Sequence, residues 1–164
     1  MEIVKNSSGV HAVVVNSGIA NACTGEEGMK NCKTIAGETA GVLNIPADSV
    51  LIGSTGVIGA QLPMDTIKKG IHLLAGQLGS KPEYALSAAQ AIMTTDTIPK
   101  QIAYETVIGG RTVTVGGMCK GSGMIHPNMC TMLAFITTDI NISKEMLTEI
   151  VKEDVKDTFN MISV

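Results

Sequence analysis

The sequence predicts a layered α/β protein. Short apolar runs of strand length alternate with stretches whose apolar residues recur at helical spacing. The 164 residues amount to one domain. Apolar residues make up 45% of them, enough for a core. Only two Tyr, two Phe and no Trp contribute, so that core is built from Ile, Val, Leu, Ala and Met.

Residues 10–15 form an apolar run that ends at Asn16-Ser17-Gly18, which reads as a buried strand entering a polar turn. Residues 26–43 place Met29, Cys32, Ile35, Ala36, Thr39, Ala40 and Leu43 at helical spacing, and Asn44-Ile45-Pro46 stops that helix. A short strand over 49–52 leads into the glycine-rich loop Gly53-Ser-Thr-Gly-Val-Ile-Gly59. Pro63 opens a second helix with Ile67, Ile71, Leu74 and Leu78 as its apolar stripe. A third, Ala-rich helix is expected over 82–93, closed by the polar loop Thr94-Thr-Asp-Thr97. Residues 102–108 and 111–115 alternate with period two around Gly109-Gly110, a hairpin signal. Residues 132–137 read as a buried strand. Ser143 caps a last helix carrying Leu147, Val151, Val155 and Phe159 four apart, and residues 161–164 resemble the start of another strand.

Several function classes are set aside by composition. Net charge is −3, no basic run occurs and aromatics are scarce, so nucleic acid is not an expected partner. No apolar stretch approaches membrane-spanning length, and the first residues lack the hydrophobic region of a signal peptide. The expected compartment is the cytoplasm. Cys23, Cys32, Cys119 and Cys130 include no Cys-x-x-Cys pair, so they read as reduced thiols and not as zinc ligands.

Four groups of residues can carry chemistry. Thr131 lies between a Gly-rich polar approach, with Gly121, Ser122, Gly123 and Asn128, and the apolar run after it. It is either an ordinary strand threonine or a nucleophile released by cutting the chain before it. In the second case its hydroxyl attacks the Cys130 carbonyl, an N-to-O acyl shift gives an ester, and hydrolysis frees Thr131. Its own α-amine then serves as base. Ser54-Thr55-Gly56 offers a hydroxyl and a glycine N–H that can jointly hold an oxyanion, or else forms a plain turn. It is not a phosphate-binding loop, because no Gly-x-x-x-x-Gly-Lys-Ser/Thr pattern occurs. Thr94 to Thr97 form a polar knot that either binds a small polar substrate or only caps a helix and turns the chain. Lys120 either pairs with a substrate carboxylate or is a solvated surface lysine. His126 is read as having a structural or rim role. Residues 16–25 form a small-residue loop, either supporting a site by hydrogen bonds or simply packed tightly.

Taken together, these segments resemble one family, the bifunctional ornithine acetyltransferases, also called glutamate N-acetyltransferases, of the cyclic arginine pathway. The matching stretches are Val13-Val-Val-Asn-Ser-Gly-Ile-Ala-Asn-Ala-Cys-Thr-Gly25, Ser54-Thr-Gly-Val-Ile-Gly59, Leu62-Pro-Met-Asp65, Ala91-Ile-Met-Thr-Thr-Asp-Thr97 with Pro99-Lys100, and Gly116-Gly-Met-Cys-Lys-Gly-Ser-Gly-Met-Ile125 running on to Asp139. The resemblance covers essentially the whole chain in consistent order.

It implies a layered α/β/β/α-type sandwich, shared with self-processing aminopeptidases and similar in chemistry to N-terminal nucleophile hydrolases. It also implies a precursor that cuts itself between Cys130 and Thr131. Residues 1–130 would then belong to an α-chain, and 131–164 would begin a β-chain. Thr55 and Gly56 match the oxyanion-hole pair, and Thr97, Lys120 and Thr131 match substrate-binding positions. The implied reaction is ping-pong: Thr131 takes acetyl from N-acetylornithine, ornithine leaves, and glutamate collects the acetyl. Some members also use acetyl-CoA. Neither metal nor organic cofactor is implied, and the implied assembly is a heterotetramer of two α and two β chains.

Three departures stand out. Cys130 stands where Ala is usual, and Ile19 where Asn is usual. The family also has a further N-terminal segment and a long C-terminal half, so the chain is expected to be an inactive piece of an incomplete fold. Two rival readings remain: a self-processing aminopeptidase-like hydrolase, and a non-catalytic folded piece that self-associates through unpaired strand edges.

Overall fold

A computed structural model describes residues 9–123, 125–126, 129–130 and 132–163, with the backbone alone at 126, 129 and 130. It divides into two compact units, one ending at Tyr84 and the other beginning at Ala85.

The first unit is a β-α-β arrangement with helices on one face. Strand β1 (Ala12–Asn16) runs parallel to β2 (Val50–Ser54), with Val14 opposite Ile52 and Asn16 opposite Ser54. Helix α1 (Gly25–Leu43) connects them. Glu26 and Glu27 in its first turn complement the helix dipole. Asn44 ends it in the left-handed conformation (φ 55°), and Pro46 prevents resumption, so the stop signal is borne out. A 3₁₀ turn, Ala47–Ser49, delivers the chain to β2. Helix α2 (Met64–Ala75) lies beside α1. Ile35, Leu62 and Ile71 form the buried centre, with Val14, Ile19, Val42, Ile52, Met64 and Ile67 against it.

Two sequence expectations fail here. The run over 10–15 is not buried on both faces: Val14 packs on the core while Val13 is exposed. The described helices cover only one side of the two-stranded sheet, and successive strand residues point to opposite sides. The α2 stripe is also shorter than expected. Ile67 and Ile71 meet the core, but Leu74 is exposed, and Leu78 lies beyond the helix end at Ala75.

Helix α3 (Pro82–Ala91) leads into the second unit, where Ala89 and Ile92 are buried. Strands β3 (Lys100–Ile108) and β4 (Arg111–Lys120) form the expected hairpin. Its two-residue turn needs positive φ at both positions, and Gly109 (58°) and Gly110 (77°) supply it. Strand β4 runs on through Gly116 and Gly117, further than alternation alone indicates. A small ladder pairs β5 (Ile125–His126) with β6 (Met129–Cys130). Strand β7 (Leu133–Thr138) pairs antiparallel with β4, giving the order β3-β4-β7.

The strand over 132–137 is thus present but not buried. As an edge strand it leaves Leu133 and Phe135 half-buried while Ala134 and Ile136 are exposed. Helix α4 (Lys144–Asp157) starts at Ser143, whose Oγ accepts the Met146 N–H at 3.2 Å, as the cap reading required. Its apolar stripe buries no residue among those described. The strand-like reading of 161–164 is corrected at Met161, which belongs to the 3₁₀ turn Phe159–Met161; Ile162 is extended, and Val164 lies outside the described residues. Among the described residues, no helix is long and apolar enough to cross a membrane.

Candidate active site

The first unit brings two of the loops picked out by sequence into direct contact. Beyond the β1–β2 pairing, residues 16–25 and 53–59 continue side by side. Thr55 N–H donates to Asn16 O at 3.0 Å, Val57 N–H to Gly18 O at 3.0 Å, Ala20 N–H to Val57 O at 2.9 Å and Gly59 N–H to Ala22 O at 3.0 Å. The loop after β1 is therefore a rail for the loop after β2.

Gly56 sits where the rails come closest. Its φ is 129°, and a Cβ there would collide with the Gly18 carbonyl and lie 2.7 Å from Ile19 N. Only glycine fits. The N–H groups on either side of Gly56 point into the neighbouring loop, whereas the Gly56 N–H meets no backbone carbonyl among the described residues. Gly56 is exposed and Thr55 is buried beside it. A glycine N–H without a backbone carbonyl partner, next to a buried threonine in a loop held on both sides, is a suitable oxyanion donor arrangement.

Side-chain hydrogen bonds brace the rail. Asn16 Nδ2 donates to Ile19 O at 2.8 Å, and Asn21 Nδ2 to Gly28 O at 2.8 Å. Thr24 Oγ1 donates to Asn21 Oδ1 at 2.7 Å, and Gln61 Nε2 to Thr24 O at 3.0 Å. Three of these four bonds end on backbone carbonyls, so side chains hold the loop chiefly through its backbone. Ile19 joins this loop through its backbone bridge to Val57, which any side chain permits, and its side chain packs on the core.

In the second unit the polar knot resolves into unequal parts. Asp96 is buried, whereas Thr94, Thr95 and Thr97 are exposed. Asp96 Oδ1 accepts Lys100 Nζ at 2.6 Å and the Gly121 N–H at 2.7 Å, and Oδ2 accepts the Thr94 N–H at 3.2 Å. Thr95 and Ser122 hydroxyls are 2.7 Å apart. Lys120 is only 5% exposed, so the reading of it as a solvated surface lysine is set aside. Burial raises the Asp96 pKa, but the Lys100 hydrogen bond, the Gly121 and Thr94 N–H groups and the Lys100 charge outweigh it. Together they bring the carboxyl down to about 2, from a usual 3.8.

That difference predicts a pH dependence. The folded pKa lies below the unfolded one, so Asp96 contributes stability fully above about pH 4 and loses it as pH falls through about 2. The contribution is about 2 kcal/mol. Denaturant unfolding of wild type and Asp96→Asn at a series of pH values checks it. The gap between the two should close below about pH 2, and a gap that stays constant would refute the assignment.

Thr131 and Asn128 lie outside the described residues, as do the side chains of Cys130 and His126. The described flanks are ordered by the sheet: Leu133 opens β7 opposite Lys120. A Cβ built on Gly121 would lie 3.4 Å from Met132 Cβ. Sequence reading did not single out Lys100 or Gly121 as partners of Asp96. The only available signal was the four-residue spacing of Asp96 and Lys100.

Residues 1–164 match the ArgJ family over their full length. The chain belongs to the ArgJ family. It is 53% identical over 165 residues to the arginine biosynthesis bifunctional protein ArgJ of Thermotoga neapolitana, covering 100% of this chain and 41% of that protein. With the Listeria monocytogenes protein of that name it shares 51% identity over 160 residues, covering 98% and 39%. The crystal structure of ArgJ from Bacillus halodurans superposes with a TM-score of 0.64 at 51% identity, over 71% of this chain and 60% of that one. The crystal structure of ornithine acetyltransferase from Mycobacterium tuberculosis, complexed with ornithine, gives 0.61 at 35% identity, over 73% and 62%. The mixed α/β fold is therefore that of the ArgJ structures. The chain spans about two fifths of the length of these curated ArgJ relatives.

Proposed function

We propose that this chain carries the nucleophile and the oxyanion hole of an N-acetyltransferase that moves acetyl from N-acetylornithine to glutamate. The match of residues 1–164 to the ArgJ family carries this reading. The ornithine-bound relative supports the substrate class. The activity belongs to the whole protein, since the matched ArgJ proteins are longer than this chain.

In this reading the Thr131 hydroxyl first attacks the Cys130 carbonyl, and hydrolysis of the resulting ester separates residues 1–130 from a chain beginning at Thr131. The freed Thr131 α-amine then accepts the hydroxyl proton as the oxygen attacks the acetyl carbonyl of N-acetylornithine. Thr55 and the Gly56 N–H meet the developing oxyanion, which their fixed placement suits. The proton passes to the departing ornithine amine. The α-amine of glutamate next attacks the acetyl-threonine, and Thr131 is regenerated. Thr97 and Lys120 hold the amino-acid portion, with Lys120 opposite its carboxylate. Acetyl-CoA is a second acetyl source, the working assembly is a heterotetramer of two α and two β chains, and the enzyme works in the cytoplasm.

Intact-mass spectrometry tests the first step. The uncut chain weighs 17.1 kDa. Two products meeting at Cys130 and Thr131 are expected. An uncut whole protein that nevertheless transfers acetyl would remove the free α-amine from the mechanism.

A further inference from the structure

Asp96 is the one buried carboxylate among the described residues, and the functional reading above assigns it no role. It lies in the loop after α3, with its side chain fully enclosed. One oxygen holds two groups at once, the Lys100 ammonium at 2.6 Å and the Gly121 N–H at 2.7 Å. Lys100 is the first residue of β3, and Gly121 directly follows β4. The carboxylate therefore ties together the two strand ends that lie side by side, where Lys100 faces Cys119.

Gly121 is a place where such a tie has leverage. Its φ of 145° is one that other residues rarely adopt, and a Cβ there would come within 3.2 Å of Ile125 Cδ1. The Asp96 bond is thus made at a backbone conformation that glycine alone adopts readily, just past the last paired residue of β4. The Gly121 N–H shares its peptide plane with the Lys120 carbonyl. Fixing that N–H fixes how Lys120, itself buried, leaves the strand. A charge-assisted hydrogen bond to a buried carboxylate is strong enough to hold one peptide orientation against its alternatives.

We propose that Asp96 is a positioning residue: it locks the peptide linking Lys120 and Gly121 so that Lys120 meets the carboxylate of the amino-acid substrate. This rests on the functional reading given above. Asp96 acts through Lys120 and does not touch substrate.

The test compares Asp96→Ala, Asp96→Asn and Lys100→Met in the whole protein. It reads hydrogen exchange at Gly121, KM and kcat for N-acetylornithine, and melting temperature. In Asp96→Ala, Gly121 exchange is expected to rise about tenfold and KM about tenfold, with kcat changed less than about threefold. Asp96→Asn keeps an acceptor for the Gly121 N–H and should recover most of both losses. Lys100→Met should lower the melting temperature while Gly121 protection and KM persist.

Unchanged exchange in Asp96→Ala overturns the proposal, and so does faster exchange with an unchanged KM. A KM that merely follows melting temperature across the three variants means a structural role only, and also overturns it. Should Asp96→Ala not fold, Asp96→Asn decides, because an amide is a weaker acceptor than a carboxylate. Exchange and KM must then rise together, by about threefold. Failure of the functional reading is visible separately, as absence of acetyl transfer by the unsubstituted protein.

Discussion

Gly56→Ala is expected to destabilise the first unit by about 3 kcal/mol and to cut acetyl transfer by the whole protein about a hundredfold or more. The stability loss has two sources. Alanine at φ 129° is strained wherever it stands, at roughly 1–3 kcal/mol. Its Cβ would also occupy the Gly18 carbonyl, so residues 18 and 19 must move. Moving them breaks the Val57 to Gly18 and Ala20 to Val57 bonds, each worth about 1 kcal/mol net. The loss of rate has a separate source: the displaced N–H is the one assigned to the oxyanion, and removing one such donor costs about 10²–10³-fold. Gly59→Ala is the control. Its φ is 87°, but a Cβ there meets nothing within 4 Å, so strain acts without collision. Denaturant midpoints should separate the two variants clearly. Equal midpoints would mean that the loops are not locked at Gly56.

The contrast between Gly56 and Asp96 shows what could be seen in the sequence. Gly56 belonged to a glycine-rich loop after a strand, and a hydroxyl beside a glycine already suggested an oxyanion donor pair. What the sequence lacked was the partner loop: nothing local says that residues 16–25 run beside 53–59, because parallel neighbours are far apart in the chain. Asp96 was visible only as one member of a polar knot. Its partner Gly121 is 25 positions away, and a glycine offers no side chain from which to infer a hydrogen bond.

Element type was legible for a different reason. Helical spacing fixed α1, and the paired glycines fixed the β3–β4 turn, since both follow from local backbone preference. Burial was less legible. An apolar run shows that a strand can be covered, not that a layer lies on both its faces. Val13 and Ile136 were therefore misread while the strands containing them were found. The Leu78 error is different: its stripe continues in sequence past the point where the helix stops, whereas Leu74 lies within the helix and is exposed there.

The other large expected effect falls on the nucleophile. Thr131→Ala should leave the bond after Cys130 uncut and lower acetyl transfer at least about a thousandfold. Without a hydroxyl there is no acyl shift, hence no free α-amine and no acetyl-threonine. Thr131→Ser retains the hydroxyl and should still cut and still transfer, though more slowly, since the methyl group that restricts χ1 is gone. Both steps need the same atom, so they must be separated experimentally. The whole protein made as two chains, one ending at residue 130 and the other beginning at residue 131 as Ala, bypasses cutting. If that pair assembles and transfers acetyl, Thr131 serves only in processing, and the acetyl-enzyme reading fails. If it assembles without transferring, while the same pair beginning with Thr131 is active, the hydroxyl is required in the reaction itself. Trapping N-acetylornithine label on the second chain would then identify the acetylated residue.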